Sequence, residues 1–544
     1  MVRRGSFDPI TLEVMRHALA AIAEEMNANL VRTAYSPNIK ERRDCSCAVF
    51  DATGQMVAQA ETIPVHLGAM PASVAEAIRR FSDLSAGDIV VVNDPYAGGA
   101  HLPDITFVAP AYVGEDLVGY VANRAHHADV GGKEPGSLAG DTREIFQEGL
   151  RVPPVRLWRS GEVDEDLLAL ILANVRTPAE RRGDLRAQLA ACQTGTERFG
   201  ELVARYGGDA VRDGMQAILD YSERRMQAEI DRLPDGSASF EDLLDDDGVS
   251  EAPVPIRATV AIEGSRVRVD FDGSSPQVTG PVNAVLSVTT SAVYYAIRVL
   301  TDPEIPPNAG CYRPIEVVAP EGSIVNARPP APVVGGNLET SQRIVDVILG
   351  AVGQILPDVE FAASQGTMNN VAIGGMDPRT GRPYTLYETI AGGWGARPDA
   401  DGVDGTHSHM TNTLNTPVEA LETAYPLRVG RYEFVECSGG AGRFRGGLGL
   451  RRDLTPIDHE ARLSLLTDRR THAPYGAAGG EPGAVGSNRI LSPDEGDRPV
   501  SGKGTFTLRS GETISICTPG GGGHGAAADR SADAIEKDRR EGRT

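Results

Sequence analysis

The sequence predicts a mixed α/β protein of the α+β type with several domains, in which an N-terminal α/β region precedes a C-terminal region rich in β-strands and glycine. At 544 residues the chain is too long for one ordinary core. Helical periodicity alternates with short strand-like segments through most of the chain. From about Tyr432 onward, glycines separate short apolar stretches, which favours strands joined by turns.

The first helix has the clearest boundaries. Asp8 is suited to cap its start, and Pro9 to occupy its first position. Apolar residues then recur at helical spacing until Ser36-Pro37, where the helix is predicted to end. The next elements are predicted as strands at 45–50 and 55–60, a helix at 71–81, a strand at 88–92, a loop at 93–104 and a strand at 117–123.

The rest of the chain divides into three further regions. The predicted elements are helices over 178–233, an acidic, Pro-containing linker at 245–255, a hairpin at 256–271, and helices at 287–300 and 341–355. We therefore predict an N-terminal α/β domain (1–244), a middle α/β domain (245–430), a β-rich C-terminal domain (431–525) and a polar tail (526–544).

Composition excludes several classes of protein. A formal net charge of -22 argues against a nucleic-acid binder and against attraction to anionic lipid. Six cysteines without any C-x-x-C pair do not suggest a disulfide framework or a zinc finger. The first ten residues lack the apolar core of a signal peptide, and the apolar stretch 344–356 is too short to span a bilayer. We therefore expect a cytoplasmic protein without a membrane or nucleic-acid partner.

Histidines and carboxylates cluster in two predicted loops that each follow a strand. The first contains Asp94, His101 and Asp104, and the second contains His126, His127 and Asp129 in the run H-H-A-D-V-G-G. Imidazole and carboxylate together suit a zinc, manganese or iron ion, and His101, Asp104 and His126 could supply three ligands. The same residues also fit capping aspartates and hydrogen-bonded loop histidines, and spacing alone does not choose between the two interpretations.

Three other groups have ordinary structural interpretations. The charged run 38–44 fits surface charge after a helix, and His66 among apolar neighbours fits a core histidine. The segment 335–343 fits a capped helix start. The stretch containing Tyr387, Trp394, His407, His409 and Glu419 fits either a set of turns or a surface for polar groups of a substrate.

Sequence motifs for nucleotide binding and serine hydrolysis are not supported. Gly520, Gly522 and Gly525 formally match G-x-G-x-x-G, but the 19 residues after Gly525 cannot form the βαβ unit that this motif requires. The chain has neither a G-x-x-x-x-G-K-[ST] run nor a G-x-S-x-G elbow.

In their order along the chain, these segments resemble the hydantoinase B/oxoprolinase family. The resemblance covers nearly the whole chain, and the segments that carry it are 38–51, 63–70, 93–104, 126–132, 148–149, 153–154, 183–185, 335–346, 387–396, 412–422 and 438–449. It implies a B-type subunit of an ATP-dependent hydrolase of cyclic amides such as hydantoins, 5-oxoproline or lactams. The expected partner is an A-type subunit that binds ATP and Mg²⁺ and phosphorylates the substrate, in a hetero-oligomer such as α2β2.

The resemblance also implies roles for individual residues. It assigns a divalent metal to His101, Asp104 and His126 together with one acidic residue, Glu41 or Asp44, and it fixes the first histidine of the H-x-x-D-[VI]-G-G pattern as the ligand.

The catalytic candidates are Asp94 as general base or outer carboxylate, Asp129 as a residue that orients a ligand, and His127 and His409. Two alternatives stay open: a subunit of an ATP-dependent ketone carboxylase of the acetone or acetophenone type, and a non-catalytic assembly subunit with a structural metal.

Overall fold

The first sheet explains how the N-terminal region is built. The computed structural model describes residues 8–60 and 62–543. Seven strands form this sheet in the order β2-β1-β5-β4-β3-β6-β7, and every neighbouring pair is antiparallel. The strands are β1 (Cys45–Asp51), β2 (Met56–Gln59), β3 (Ile89–Val92), β4 (Asp104–Val113), β5 (Asp116–His126), β6 (Val155–Arg159) and β7 (Glu162–Val163).

Six helices surround this sheet: α1 (Pro9–Thr33), α2 (Pro37–Lys40), α3 (His66–Arg80), α4 (Glu165–Ala173), α5 (Pro178–Tyr206) and α6 (Gly208–Ile230). The start of α1 is as predicted, because the Asp8 carboxylate accepts hydrogen bonds from the backbone N–H groups of Ile10 and Thr11. Helix α1 packs on α5 and β1, while α5 also packs on β4 and β5. The predicted helical region 178–233 is confirmed as α5 and α6.

Two elements of this region differ from the prediction. The predicted helix at 71–81 begins five residues earlier, so Pro71 lies inside α3. Packing overrides the local preference of proline here, because Gly68 in the first turn donates its N–H to Ser291 Oγ at 2.8 Å. Strand β4 is missing from the prediction because nearly all of its residues are buried, so it shows no alternation of polar and apolar side chains.

A second sheet lies at the middle of the chain. It has the order β11-β10-β9-β8 and contains β8 (Gly236–Leu244), β9 (Val254–Glu263), β10 (Arg266–Asp270) and β11 (Ile315–Val318). Its helices are α7 (Leu286–Val299), α8 (Ala309–Tyr312) and α9 (Ser341–Ile355), and a π-helical turn, Gly336–Thr340, precedes α9. Helix α9 packs on β8 and β9, and α7 packs on both α3 and α9.

The interpretation of 245–255 as a linker is wrong. Strands β8 and β9 pair antiparallel along their whole length, so the segment between them is the loop of a hairpin. Asp245 in this loop is buried and accepts backbone N–H groups from Arg470, Thr471 and His472. Of the three acidic residues that suggested a linker, Asp245 and Asp246 thus contact the C-terminal part of the chain, and Asp247 binds its own loop and Gly280.

The C-terminal part is rich in strands, as predicted. It contains β12 (Asn370–Asp377), β13 (Arg382–Thr389), β14 (Leu427–Phe434), β15 (Leu450–Pro456), β16 (Ala461–Leu466), β17 (Ser487–Ser492), β18 (Gly496–Pro499), β19 (Lys503–Leu508) and β20 (Thr513–Cys517), with helices α10 (Val418–Ala424) and α11 (Ala532–Arg540). A third sheet has the order β13-β12-β16-β19, and a fourth has the order β14-β15-β20-β17-β18. A hydrophobic core of residues such as Ile373, Leu454 and Ile514 joins these two sheets.

Glycine-rich segments at 392–395, 438–449, 476–483 and 519–525 run side by side, backbone against backbone. Gly521 donates its N–H to Gly447 O and accepts from Gly440 N, both at 2.9 Å. A Cβ atom on Gly521 would lie 1.9 Å from Trp394 O. Two glycines of the G-x-G-x-x-G match also serve close packing of chain segments, since a Cβ atom would lie 1.8 Å from Ser438 O on Gly520 and 2.0 Å from Tyr475 O on Gly522. Among the described residues, no helix combines the length and apolar character needed to cross a membrane.

We expect Gly521→Ala to lower the free energy of unfolding by about 1–3 kcal/mol, because the new methyl group would force packed backbone segments apart. Urea unfolding followed by circular dichroism measures this change. The matched control is Gly200→Ala in α5, where a Cβ would meet nothing within 4 Å. That variant should be more stable by about 0.5–1 kcal/mol, because alanine favours helix. Equal stability of the two variants would contradict this account of the glycine-rich segments.

Candidate metal centre

Three antiparallel strands bring the metal-ligand candidates to one end of the first sheet. Asp104, the first residue of β4, lies directly opposite His126, the last residue of β5. Asp44 precedes β1, whose first residue Cys45 pairs with Ala125, and Asp44 O accepts the backbone N–H of His126 at 3.0 Å. Asp44, His126 and Asp104 therefore form one row across β1, β5 and β4.

His101 reaches this row through a tight turn. The backbone N–H of Asp104 donates to His101 O at 3.1 Å. Asn93 fixes the preceding loop, because its side chain donates to Leu102 O at 2.7 Å and accepts the Val152 N–H at 2.6 Å. The loop prediction for 93–104 thus holds, with a short 3₁₀ turn at Pro95–Ala97 inside it.

The side chains of His101, Asp104 and His126 form a buried cluster of potential ligands. One ligand atom from each lies within 4.8 Å of the other two. His101 Nε2 and Asp104 Oδ2 are 3.3 Å apart. Both ring nitrogens of His101 and both carboxylate oxygens of Asp104 are buried without a hydrogen-bond partner. Since buried polar atoms normally have partners, this donor set fits a divalent cation.

A small cavity borders the cluster. Its volume is about 20 Å³, which is enough for one water-sized group. The lining residues include Asp44, Ile63, His66, Asp104, His126, Leu338, Met368, Tyr387 and Met410. Most of the wall is apolar, so bulk water is kept away from the cluster.

The charges of the cluster are set by burial and by mutual contacts. Burial alone would raise the pKa of Asp104, but the adjacent imidazoles of His101 and His66 hold this pKa well below its usual value. Burial, assisted by His101, lowers the pKa of His126 well below its usual value. Without metal at neutral pH, Asp104 is therefore an anion and His126 is neutral, and both are ready to bind a cation.

Asp44 differs from Asp104 although both line the same cavity. Burial, with the charge of Asp104 added to it, raises the pKa of Asp44 to about 7 against the opposing effects of Arg42 and His101. The carboxyl of Asp44 is thus partly protonated at neutral pH. Glu41 is half-buried at the end of α2 and does not line the cavity. Of the two acidic candidates, the structure brings Asp44 to the cluster.

Arg42 is completely buried beside the cluster, so the interpretation of the run 38–44 as surface charge is wrong for this residue. Its five N–H groups all have acceptors: Asn38 Oδ1, the carbonyl oxygens of Tyr387 and Leu414, and the hydroxyls of Thr389 and Thr413. The guanidinium therefore joins the α2 turn to β13 and to the segment after Met410. No pattern in the sequence shows this, because the acceptors lie far along the chain.

Two residues bound by Arg42 hold His126. The Asn38 side-chain amide donates to His126 O at 2.5 Å and lies 3.2 Å from His126 Nδ1. The Tyr387 ring stacks on the His126 ring with 4.4 Å between centroids and 9° between planes. Tyr387 in turn donates its hydroxyl to Asn370 Oδ1 at 2.9 Å. The sequence allows Tyr387 to lie in a set of turns or near polar groups of a substrate, and the structure places it against a candidate ligand.

His66 lies beside the cluster, although the sequence favours a core histidine. It is buried, its Nδ1 lies 2.8 Å from Ser46 Oγ, and its Nε2 lies 3.6 Å from Asp104 Oδ2. Burial, opposed by Asp104, lowers the pKa of His66, so the ring is neutral at neutral pH. The prediction of a core histidine is correct in that His66 is buried, but it omits the contact with Asp104.

The four catalytic candidates are not among the residues that line the cavity. Asp94 caps the 3₁₀ turn by accepting Tyr96 N–H at 3.0 Å and pairs with Arg151 at 3.3 Å. Asp129 accepts the N–H groups of Gly131 and Gly136 and binds Arg176.

His127 extends to the opposite face of the sheet from His126, where its Nε2 lies 2.9 Å from Gln188 Oε1. His409 packs between the rings of Tyr295 and Trp394, and its Nε2 lies 3.7 Å from Asp346 Oδ1. For Asp94 and Asp129 the structure shows capping and turn contacts, which is the structural interpretation that the sequence leaves open.

The fold combines helices with four sheets, and a buried histidine–carboxylate cluster lies at the end of the first, antiparallel sheet. The sequence profile of the Hydantoinase B/oxoprolinase family matches residues 8–527. The chain therefore belongs to the hydantoinase B/oxoprolinase family, as the sequence motifs predict.

Two curated relatives differ in the share of their own length that this chain covers. It is 42% identical to an uncharacterized protein of Methanocaldococcus jannaschii, over 98% of this chain and 93% of that protein. It is 37% identical to 5-oxoprolinase 1 of Arabidopsis thaliana, over 95% of this chain but only 42% of that protein.

Two solved structures have the same fold. An ATP-dependent caprolactamase from Pseudomonas jessenii superposes with a TM-score of 0.91 at 31% identity, covering 99% of this chain and 95% of that one. An acetone carboxylase superposes with a TM-score of 0.90 at 19% identity, covering 98% of this chain and 78% of that one. The second likeness concerns the fold alone.

We expect Arg42→Lys to lower the free energy of unfolding by about 2–4 kcal/mol, because an ammonium group cannot reach the acceptors that the five guanidinium N–H groups bind. Urea unfolding gives the change. The control is Arg43→Lys, since Arg43 is the exposed neighbour and should change stability by less than about 0.5 kcal/mol. If both variants were as stable as the unaltered chain, Arg42 would not hold these segments together.

Asp44 gives the metal-free protein a defined pH dependence. Its pKa in the folded chain, about 7, is above the unfolded value, so its stabilising contribution is present in acid and is lost as pH rises through about 7. We expect the free energy of unfolding of Asp44→Asn to fall less between about pH 5 and about pH 8 than that of the unaltered chain. Urea unfolding in the presence of a chelator tests this, with Asp116→Asn on the surface as control. Parallel pH profiles for Asp44→Asn and the unaltered chain would refute it.

Proposed function

We propose that this chain is the metal-binding B subunit of an ATP-dependent hydrolase of cyclic amides, such as hydantoins, 5-oxoproline or lactams. An A-type partner subunit phosphorylates the amide oxygen with ATP and Mg²⁺, and this chain completes the hydrolysis. The division of work is chemically reasonable, because an unstrained amide is a poor electrophile and phosphorylation of its oxygen makes the carbon open to attack by water. The C–N bond then breaks, and the phosphoryl group is released as phosphate by hydrolysis.

The observation that carries this proposal is the buried cluster of His101, Asp104 and His126. The side-chain nitrogens of His101 and the carboxylate oxygens of Asp104 are unpartnered, and Asp104 and His126 line a cavity. Three nitrogen and oxygen ligands suit zinc, manganese or iron. Such a metal supplies a Lewis acid for a carbonyl or phosphoryl oxygen and lowers the pKa of a water molecule. A cavity beside three ligands favours a catalytic centre over a purely structural one, which is normally closed by protein ligands on all sides.

The protein residues around the centre have separate tasks in this proposal. His101, Asp104 and His126 bind the metal, and Asp44, which lines the same cavity but lies outside this mutually close set, is the acidic residue available as a further ligand. Ile63, Leu338, Met368 and Met410 keep bulk water out, which strengthens every charge interaction inside. Asp94, Asp129, His127 and His409 support the loops and strands around the centre through the contacts described above.

The partner is supported by what the chain covers and by the motifs it lacks. It spans only 42% of the Arabidopsis 5-oxoprolinase, so that longer protein has room for an ATP-binding part. A phosphate-binding G-x-x-x-x-G-K-[ST] run does not occur in this sequence. In the proposed complex, ATP and Mg²⁺ bind the A-type subunit, in an assembly such as α2β2.

Caprolactamase and acetone carboxylase point to different reactions. The 31% identity to the caprolactamase favours hydrolysis of a cyclic amide, whereas the 19% identity to the acetone carboxylase supports a shared fold and no reaction. The experiment is to co-express the chain with its A-type partner and to measure ATP hydrolysis with hydantoins, 5-oxoproline, lactams and, together with bicarbonate, ketones. Bicarbonate-dependent use of a ketone would replace the hydrolase proposal with the carboxylase.

We expect His101→Ala to abolish metal binding and to reduce substrate-dependent turnover of the complex by at least about 100-fold, because a metal ligand is lost. Metal content by mass spectrometry and product formation give the two readouts. His17→Ala is the control, since His17 is exposed on α1 and should leave both unchanged. Full metal content and activity in His101→Ala would rule out the proposed centre.

A further inference from the structure

A second polar row lies beside the row that contains the metal-ligand candidates. Arg124 on β5 pairs with Ser46 on β1 and with Thr106 on β4, two residues along from Asp44, His126 and Asp104. Because side chains two residues apart in a strand share a face, both rows face the same side of the sheet. The second row is therefore in place to contact the centre from one side.

His66 connects the two rows. It is the first residue of α3, and its backbone N–H donates to Ile63 O at 3.1 Å. The packing of α3 on α7 at Gly68 fixes this helix start over the sheet. From there the ring places Nδ1 at 2.8 Å from Ser46 Oγ in the second row and Nε2 at 3.6 Å from Asp104 Oδ2 in the first.

The position of the ring proton follows from these contacts. A neutral imidazole has one N–H, and the serine hydroxyl can either donate to Nδ1 or accept from it. If Nδ1 carried the proton, the bare lone pair of Nε2 would face the Asp104 anion. With Ser46 donating to Nδ1, the proton is on Nε2 and faces the carboxylate, which is the arrangement that electrostatics favours.

We propose that His66 is a positioning residue for the metal centre: its Nε2–H holds Asp104 Oδ2, so that the carboxylate presents a fixed oxygen to the metal, and Ser46 fixes the tautomer that makes this possible. The inference rests on the proposed function, because it requires a metal at His101, Asp104 and His126. Such second-layer hydrogen bonds orient ligands in metal sites in general.

Geometry favours this role over direct ligation. In the described part of the chain, the mutually close ligand set consists of His101, Asp104 and His126 and does not include His66. The separation of 3.6 Å between His66 Nε2 and Asp104 Oδ2 exceeds a normal hydrogen bond by a few tenths of an ångström. A shift of the Asp104 carboxylate by that amount would form the bond.

Arg124 supports the same carboxylate without competing for it. Its guanidinium donates to Thr106 Oγ1 at 2.8 Å, Ala69 O at 3.1 Å and Ser73 Oγ at 2.8 Å, and its Nη1 is buried without a partner. These bonds hold the cation in the second row, where its positive charge favours the anionic form of Asp104.

The test is a Co²⁺ titration of the full chain, followed by the visible absorption of the bound ion and by competition with a chelator. For His66→Ala we expect one Co²⁺ per chain, an unchanged ligand-field band and an affinity lower by about 10–100-fold. His66→Gln, whose amide can donate from a similar place, should recover most of the affinity. Ser46→Ala should weaken binding less than His66→Ala.

Two controls keep the outcome specific. His459→Gln alters a histidine that binds Tyr384 in the third sheet and should leave Co²⁺ binding unchanged. If His66→Ala does not fold, as judged by circular dichroism, the comparison of His66→Gln with Ser46→Ala carries the test. If Ser46→Ala then binds Co²⁺ as tightly as the unaltered chain, the proposed roles of Ser46 and His66 are overturned.

Different failures have different meanings. If the unaltered chain bound no Co²⁺, the proposed centre would be wrong and this role with it. If the unaltered chain bound Co²⁺ and His66→Ala bound it equally tightly, only the role of His66 would be wrong. A band in both His66→Ala and His66→Gln that indicates one nitrogen ligand fewer would overturn positioning, since His66 would then be a ligand.

Discussion

The buried charge of Arg42 is the interaction on which the candidate centre depends. A guanidinium without solvent is stable only when its donors are satisfied, and all five N–H groups of Arg42 find acceptors. Those acceptors lie in three parts of the chain: the α2 turn, β13 and the segment after Met410. Because Asn38 and Tyr387 are among the groups it binds and both contact His126, the same cation that joins these parts also fixes a candidate ligand.

Strand register supplies the second constraint. Asp44, His126 and Asp104 belong to three strands, and they meet because β1, β5 and β4 pair in one particular register. A shift of one residue would turn His126 to the opposite face, where His127 now contacts Gln188. The second row, Ser46, Arg124 and Thr106, depends on the same register. The ligands and the residues that orient them are therefore set together by backbone pairing.

Local signals in the sequence predict much of the fold but only part of the site. The structure confirms the features whose signals span only a few residues. These are the cap at Asp8, the helical periodicity of 178–233 and 341–355, and the glycine-separated C-terminal strands. Strand β4 and the start of α3 depend on burial and on packing against α7, which no local pattern reports. In the site, His101, Asp104 and His126 come together as expected from short motifs. Arg42, His66 and Tyr387 escape sequence reasoning because their partners are distant in the chain.

The size of the cavity limits how the proposed reaction can proceed. About 20 Å³ holds a water-sized group, whereas a five-membered ring is several times larger. The proposed hydrolysis therefore requires the walls of the cavity to separate. The hydrogen bonds between the wall segments indicate where separation breaks the fewest of them. Between the segments 62–65 and 410–413, Asn412 Nδ2 donates to Thr62 O at 3.1 Å and Val65 N to Met410 O at 3.3 Å. Opposite them, the five hydrogen bonds of Arg42 and the paired strands β1, β5 and β4 hold the ligands. Opening between these two segments would admit a ring while leaving His101, Asp104 and His126 in position.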